Sequence, residues 1–214
     1  MCSSDLQQAA LGSAAAPITR NRFLVARARL QIVTGRAEQA MNTLNAVTLS
    51  GTAATGLSLD RVRTNNLRAS ANLKLGRVDA ALASARAALD ELTSARERDY
   101  YQTLEADAQL QLGEALLRSD AAAARNAFER ALLLRKANDD PQSPWIAEAE
   151  VALAACMTAS SENAKQRALL AQAFSRHAAH KQLGAHFTQP LLNARGQKGV
   201  AKKFKASMRP APPA

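Results

Sequence analysis

Two histidines at helical spacing are the first residues in this chain whose type and position suit chemistry. His177 and His180 lie three positions apart, and His186 follows close behind. Imidazoles at this spacing can share a metal ion such as zinc. A catalytic metal site also needs an acid or a base, yet no carboxylate follows Glu162. We therefore interpret the histidines as solvated or partly packed, and we predict neither a metal nor a cofactor.

The other candidates for catalysis are equally isolated. Cys156 lies in an alanine-rich stretch with no histidine beside it, which favours a buried structural thiol over a nucleophile. Asp139 and Asp140 fall in a polar loop, where solvation is a simpler interpretation than ion binding. The chain has no GxxxxGK(S/T), GxGxxG or GxSxG pattern and no kinase catalytic-loop motif. We predict a protein that is not an enzyme.

Charge is distributed unevenly along the 214 residues. The first 162 carry 18 bases and 18 acids, whereas the rest carry ten bases and no acid, so the formal net charge of +10 arises in the last quarter. Residues 196–214 are lysine-rich and end in a proline-rich run, which predicts a disordered basic tail. Such a tail could bind nucleic acid nonspecifically through phosphates. Phe204 is its only aromatic residue, so stacking platforms are lacking, and a merely solvated tail is the alternative.

Helices must position these side chains, because the composition disfavours other elements. Hydrophobic residues make up 47% of the chain, but aromatic residues only 4%, and alanine is abundant. This composition indicates closely packed helices rather than a β-sandwich. No apolar run approaches the length of a bilayer span, so we expect no membrane partner. The two cysteines form neither a disulfide framework nor a metal-binding spacing, which fits a reducing, cytoplasmic setting.

Residues 67–92 predict two helices joined by a turn at Gly76. The second helix has one apolar stripe at helical spacing, which comprises Val78, Ala81, Leu82, Ala85, Leu89 and Leu92. The same plan recurs around Gly35, which lies 41 positions earlier, and an alanine follows each glycine by five positions. Self-similarity at this period is typical of stacked helical repeats.

The pattern resembles the tetratricopeptide repeat (TPR), a family of helix hairpins with small residues at fixed places. Leu112 and Gly113 are similar to its Leu-Gly pair within a first helix. Residues 131–154 resemble the kinesin-light-chain variant, in which Leu-Arg-Lys ends a helix and Pro-x-x-Ala-Glu opens the next. The resemblance covers roughly residues 20–180. It departs from the pattern at the third turn, residues 118–120, where no glycine stands. Asp120 or Ser119 is the expected N-cap of the helix that follows this turn, and Ser160 or Ser161 that of the helix reaching His180.

The resemblance implies an all-α fold. We expect a right-handed α-solenoid of about four antiparallel helix hairpins over residues 19–195, ending in a C-terminal capping helix, followed by the disordered tail. Residues 1–18 would be a disordered N-terminus or the remainder of a truncated earlier repeat, with residues 7–11 as its last turns. Residues 2–6 correspond to one reading frame of a common sequencing-library adapter. We therefore expect residues 1–6 to be adapter-derived and the natural chain to begin upstream.

The resemblance also implies a binding surface. Arrays of this family bind an extended peptide or a helix of a partner protein along a concave face that the first helices line. A basic half of such a groove favours an acidic segment or a free carboxylate, although an ordinary solvated face is the alternative for each residue. We predict a non-catalytic protein–protein interaction scaffold. The residues expected in its groove are Arg22, Arg29, Arg63, Asn66, Ser70, Lys74, Asp107, Gln111, Glu114, Arg118 and Glu148.

A second hypothesis makes the chain the C-terminal sensory or scaffolding region of a larger bacterial signalling protein. Residues 131–154 and the closing motif in residues 180–191 are similar to the ends of bacterial serine/threonine kinases that carry these repeats. The catalytic part of such a kinase, or the DNA-binding part of a transcriptional regulator, would then lie outside this chain. An in-frame kinase or DNA-binding domain upstream of Gln7 would support this hypothesis, and a stop codon there would support a free-standing module.

Overall fold

The computed structural model describes residues 17–48, 58–93, 101–157 and 160–180. Within these ranges the chain forms eight α-helices, one short 3-10 helix and no strand, so the prediction of an all-α protein is confirmed. No helix among them is both long and apolar enough to cross a lipid bilayer. The chain divides into two compact units between Asn138 and Asp139. The predicted repeat domain, residues 19–195, spans both units.

In its described residues, unit 1 forms three helix hairpins. Each first helix packs against its own second helix, neighbouring first helices pack against each other and, beyond hairpin 1, each first helix packs against the preceding second helix. Hairpin 1 comprises α1 (Pro17–Val33) and α2 (Ala37–Asn45), hairpin 2 comprises α3 (Leu59–Lys74) and α4 (Val78–Thr93), and hairpin 3 comprises α5 (Gln102–Leu116) and α6 (Ala121–Asn138).

The first two hairpins turn at glycines with positive φ. Gly35 has φ of 77° and Gly76 has φ of 72°, a left-handed conformation that side chains with a Cβ disfavour. In hairpin 2 the amide of Arg77 donates to the carbonyl of Asn72 at 2.8 Å, and hairpin 1 has the same bond at 2.7 Å. This bond satisfies a terminal carbonyl of the first helix. The prediction that Gly76 supplies a tight stop is confirmed.

Hairpin 3 reverses direction without glycine. The amide of Asp120 donates to the carbonyl of Leu116 at 2.8 Å and ends α5. The carboxylate of Asp120 then accepts a hydrogen bond from the amide of Ala123 at 2.9 Å and caps α6. The predicted cap at Asp120 is confirmed.

The core of unit 1 is built largely from alanine, which lets neighbouring helices approach closely. Hairpins 1 and 2 share the buried cluster Ala28, Ile32, Ala40, Leu44 and Ala71. Hairpins 2 and 3 share the buried cluster Val62, Ala88, Leu92 and Ala108. Not every apolar residue of these helices is buried. Val33 and Val78 are 41% and 43% exposed at the ends of their helices, and Leu82 is only half-buried.

Hairpin 3 has a different contact between its two helices. Gly113 of α5 faces Phe128 of α6, whose side chain is buried. A Cβ added at Gly113 would lie 2.5 Å from a ring atom of Phe128, closer than real Cβ contacts come. The large ring therefore fits because the residue opposite has no side chain.

Unit 2 contains α7 (Pro144–Ala155), a 3-10 helix (Ser160–Glu162) and α8 (Asn163–Ala179), with α7 packed against α8. Pro144 stands in the first turn of α7, as predicted. The predicted serine cap of α8 is wrong. Ser160 and Ser161 belong to the 3-10 helix that precedes α8. The N-cap residue of α8 is Glu162, whose side chain makes no capping hydrogen bond.

The second unit also contains a buried ion pair. The Glu150 carboxylate accepts two hydrogen bonds from one terminal nitrogen of Arg176, at 3.0 and 2.7 Å. Arg176 also donates to the carbonyl of Pro141 at 2.8 Å, which ties α8 to the loop before α7. The predicted disordered N-terminus, residues 1–18, overlaps α1 at Pro17 and Ile18, and its other residues lie outside the described ranges. The predicted capping helix and basic tail also lie outside the described residues.

Candidate peptide-binding surface

The first helices of unit 1 carry polar residues at matching positions. Side chains seven positions apart lie on one face of a helix, as Arg22 and Arg29 do on α1. Since α1 packs beside α3, and α3 beside α5, these faces belong to neighbouring helices. We name them the first-helix surface, which comprises Arg22, Arg29, Arg63, Ser70, Lys74, Asp107 and Glu114.

The basic residues of hairpins 1 and 2 reach solvent. Arg22, Arg29 and Lys74 are exposed, and the Arg63 side chain is 42% exposed. Arg63 lies 4.0 Å from the carboxylate of Asp60, one turn away on the same helix. An exposed pair at this distance stabilises little, so Arg63 can still turn toward a ligand.

Lys74 of α3 and Glu114 of α5 interact electrostatically across neighbouring helices. Burial raises the pKa of the Glu114 carboxyl, and the charge of Lys74 opposes this rise. Glu114 nevertheless has more than a third of its surface open to water, which limits the effect of burial. The positive charge of Lys74 therefore favours the charged form of Glu114 on the neighbouring first helix.

Asp107 forms an ion pair with an arginine of a second helix. Its carboxylate pairs with Arg135 of α6, whose side chain is only 8% exposed. Because this partner lies 28 positions away in the sequence, no local spacing indicated it. The pairing offsets one of the two acids that α5 contributes to the first-helix surface, which makes this surface more basic than its sequence suggested.

Asn66 and Gln111 have buried side-chain oxygens. The amide nitrogen of Asn66 donates to the carbonyl of Leu104 at 3.0 Å and so joins α3 to α5. The side-chain oxygens of Asn66 and Gln111 have no hydrogen-bond partner among the described residues. The structure therefore gives Asn66 a role in helix packing, whatever else it contacts.

The remaining two predicted groove residues lie apart from this set. Arg118 is exposed beside the turn of hairpin 3. Glu148 belongs to α7 of unit 2, whereas the first-helix surface belongs to unit 1.

Sequence analysis missed an apolar position at the edge of the surface. Val33 precedes Gly35 by two positions, as Lys74 precedes Gly76 by two, and Val33 is 41% exposed. The 41-residue offset could have revealed this match. The surface therefore has an apolar residue on α1 where α3 carries Lys74.

The histidines and the cysteine do not assemble into a reactive site in the described residues. His177 is buried with its Nδ1 unpartnered, and burial, followed by the charge of His180, lowers its pKa. His180 Nε2 lies 2.9 Å from the carbonyl of Gln142. No group of three metal-ligating side chains occurs in these ranges. Cys156 is half-buried rather than buried, because it follows the last turn of α7.

Comparison with known proteins gives no relative for this chain. No family model, no curated protein and no solved structure matches it.

Proposed function

We propose that the chain is a non-catalytic scaffold that binds an acidic segment of a partner protein on the first-helix surface. The observation that carries this proposal is the set of cations on α1 and α3 that reach solvent, Arg22, Arg29, Arg63 and Lys74. Of the two acids that α5 contributes to this surface, Asp107 pairs with Arg135, so cations outnumber acids on the surface and would attract a negative ligand.

We also propose that the hairpins stack as a right-handed solenoid similar to tetratricopeptide arrays, with the first helices lining its concave side. The packing of α1 beside α3 and of α3 beside α5 supports this arrangement. So does the shared turn geometry at Gly35 and Gly76. A concave surface would hold an extended peptide against several first helices at once.

The energetics favour a ligand that touches several cations together. A single exposed ion pair contributes about 0–1 kcal/mol, so no one arginine should dominate binding. We expect affinity to fall as salt screens these charges. An acidic segment spanning α1 and α3 would gather enough contacts for specific recognition.

A double charge reversal tests the proposed function. Changing Arg29 and Arg63 together to Glu should weaken binding of acidic peptides at least tenfold, because both substitutions place like charges against the ligand. Isothermal titration calorimetry with a panel of acidic peptides measures this effect. Arg86→Glu with Arg167→Glu is the matched control, since both arginines are exposed on second helices. Equal affinities for the two double variants would overturn the proposal.

The basic tail should behave differently from the surface. Deleting residues 196–214 should leave peptide affinity nearly unchanged, with at most a modest drop in association rate, because the tail adds charge without geometry. Nonspecific binding of random DNA should disappear with the tail and at high salt. Calorimetry measures peptide affinity and filter binding measures DNA binding, both on the variant that lacks the tail. Loss of peptide binding on deletion of the tail, with the arginine reversal harmless, would assign binding to the tail instead.

A further inference from the structure

The outer side of α1 carries an apolar row at the spacing of a heptad, a seven-residue pattern lettered a to g. Phe23, Ala26, Leu30 and Val33 follow one another at intervals of three and four positions, which places them along one side of the helix. Ala26 is exposed, Leu30 and Val33 are 58% and 41% exposed, and Phe23 is partly buried. The four residues occupy the a and d positions, which contact a second helix in a coiled coil.

The opposite side of α1 belongs to the core of unit 1. Ala28 and Ile32 are buried there in the cluster that hairpins 1 and 2 share. Among the described helices, only α2 and α3 make extensive contacts with α1. The exposure of Leu30 shows that neither of them covers the outer row.

Arginines flank the apolar row on both sides. In the same heptad register Arg20 and Arg27 occupy e positions, Arg22 and Arg29 occupy g positions, and all four are exposed. The sequence of α1 contains no acid. Side chains at e and g form salt bridges between paired helices and so determine the choice of partner. Four positive charges select a helix with acids at these positions, and they repel a second copy of the same face.

The corresponding face of α3 has a different character. Ala71 lies 41 positions after Leu30, and Ser70 lies 41 positions after Arg29. Ala71 is fully buried in a cluster with Ala40 and Leu44 of α2. The side chains at a contact determine how closely two helices approach, so Leu30 does not fit the contact that Ala71 makes. The outer face of α1 therefore suits another kind of neighbour than the hairpins provide for each other.

We propose that the outer face of α1 binds an acidic amphipathic helix of a partner protein, with apolar residues at a and d and Glu or Asp at e and g. The apolar side chains of that helix shield Leu30 and Val33 from water, and its carboxylates pair with the arginines on both flanks. A narrow a and d row is the seam of a helix pair, whereas insertion into a bilayer surface needs a broader apolar face.

This contact goes beyond the binding of an extended acidic segment on the first-helix surface. Arg20, Arg27 and Leu30 do not belong to that surface. Its ligand is a helix, recognised by the spacing of its side chains as well as by its charge.

A synthetic peptide tests the proposal on the full chain. The probe has three heptads with Leu at a and d and Glu at e and g, and the control peptide has the same residues in scrambled order. Fluorescence anisotropy should show saturable binding of the heptad peptide, and binding of the scrambled peptide should be about tenfold weaker or less. Leu30→Glu should weaken binding of the heptad peptide about tenfold, because it places an acid in the apolar seam. Leu133→Glu is the matched control, since Leu133 is 60% exposed on α6, and it should leave binding unchanged.

Charge reversals separate this face from the first-helix surface. Arg20→Glu with Arg27→Glu should weaken binding of the heptad peptide about tenfold and spare an extended acidic peptide that cannot form a helix. Arg63→Glu with Lys74→Glu should have the reverse pattern. The two proposals can therefore fail independently.

Several outcomes would overturn the proposal. The first two are equal affinities for the heptad and scrambled peptides, and equal effects of Leu30→Glu and Leu133→Glu. Binding that appears only after deletion of residues 1–16 would show that the chain covers this face itself. A dimer in sedimentation that Leu30→Glu dissociates would assign the face to a second copy. Binding to anionic vesicles that Leu30→Glu abolishes, without binding of the heptad peptide, would assign it to a lipid surface.

Discussion

Hairpins 1 and 2 differ from hairpin 3 in how two helices are joined and packed. The first two turn at a glycine with positive φ, whereas the third turns at Asp120, which caps the next helix with its side chain. Hairpins 1 and 2 thus rely on a backbone conformation that only glycine adopts easily, whereas hairpin 3 relies on a backbone amide that donates to a polar side chain. Two local solutions give the same reversal of direction.

The same hairpins differ in the contact seven positions before the turn. Ala28, Ala69 and Gly113 occupy this position in hairpins 1, 2 and 3. Ala28 shares a cluster with Leu44, while Gly113 lies against the ring of Phe128. In hairpin 3 a residue without a side chain on the first helix therefore lies opposite a large ring on the second, and a Cβ at Gly113 would overfill this contact.

The largest expected loss of stability comes from the core cluster that hairpins 2 and 3 share. Leu92 is buried in the cluster that α3 and α4 share with α5, so Leu92→Ala should cost about 2–5 kcal/mol of unfolding free energy. Leu82→Ala should cost less than half as much, because Leu82 is half-buried. Urea denaturation compares the two. A larger loss for Leu82 would mean that the apolar stripe read from the sequence describes the core better than the structure does.

The contact between Gly113 and Phe128 in hairpin 3 gives the next largest effect on stability. Gly113→Ala should destabilise by about 1–3 kcal/mol through the clash with Phe128, against a helix-propensity gain of about 1 kcal/mol. Adding Phe128→Leu should recover much of this loss, because the pair then matches Ala28 and Leu44 of hairpin 1. Thermal and urea unfolding of the four variants measure the coupling. Strict additivity of the two substitutions would show that Gly113 and Phe128 do not constrain each other's size.

The glycine turn should respond to any side chain. Gly76→Ala places a Cβ in a left-handed conformation and should cost about 1–2 kcal/mol. No atom lies within 4 Å of that Cβ, so the cost is conformational rather than steric crowding by neighbours. Ser119→Ala in the third turn should stay within about 0.5 kcal/mol. Equal effects at the two turns, measured by urea unfolding, would remove the distinction between them.

The side-chain cap gives the smallest effect. Asp120→Ala removes the bond to the amide of Ala123 and should cost about 1 kcal/mol, whereas Asp120→Asn should keep most of the stability. Thermal unfolding monitored at 222 nm, the usual helical signal, measures both. A destabilisation by Asn as large as that by Ala would show that charge, not the capping bond, matters at this turn.

Much of this architecture could be predicted because its signals are local. Gly76 and Asp120 identify their turns by residue type and position, and helical spacing identifies Ala81, Ala85 and Leu92 as core residues. Val78 was misplaced because periodicity continues to the end of a helix, whereas its packing partners do not.

The candidate site was less accessible to sequence reasoning. Its residues follow from helical spacing, but their partners do not. Asp107 pairs with Arg135, and Asn66 reaches the carbonyl of Leu104, at separations of 28 and 38 residues. Such contacts depend on which helices become neighbours and how they are rotated. No spacing within a single helix contains this information.

The order of helix packing has a consequence for the kinetics of folding. The extensive contacts among the described helices join elements that are adjacent or next but one along the chain. Short separations make loop closure fast, so we expect hairpins to form early and without waiting for distant segments. Release under mechanical force should then proceed in steps, one hairpin at a time, each yielding a similar gain in chain length.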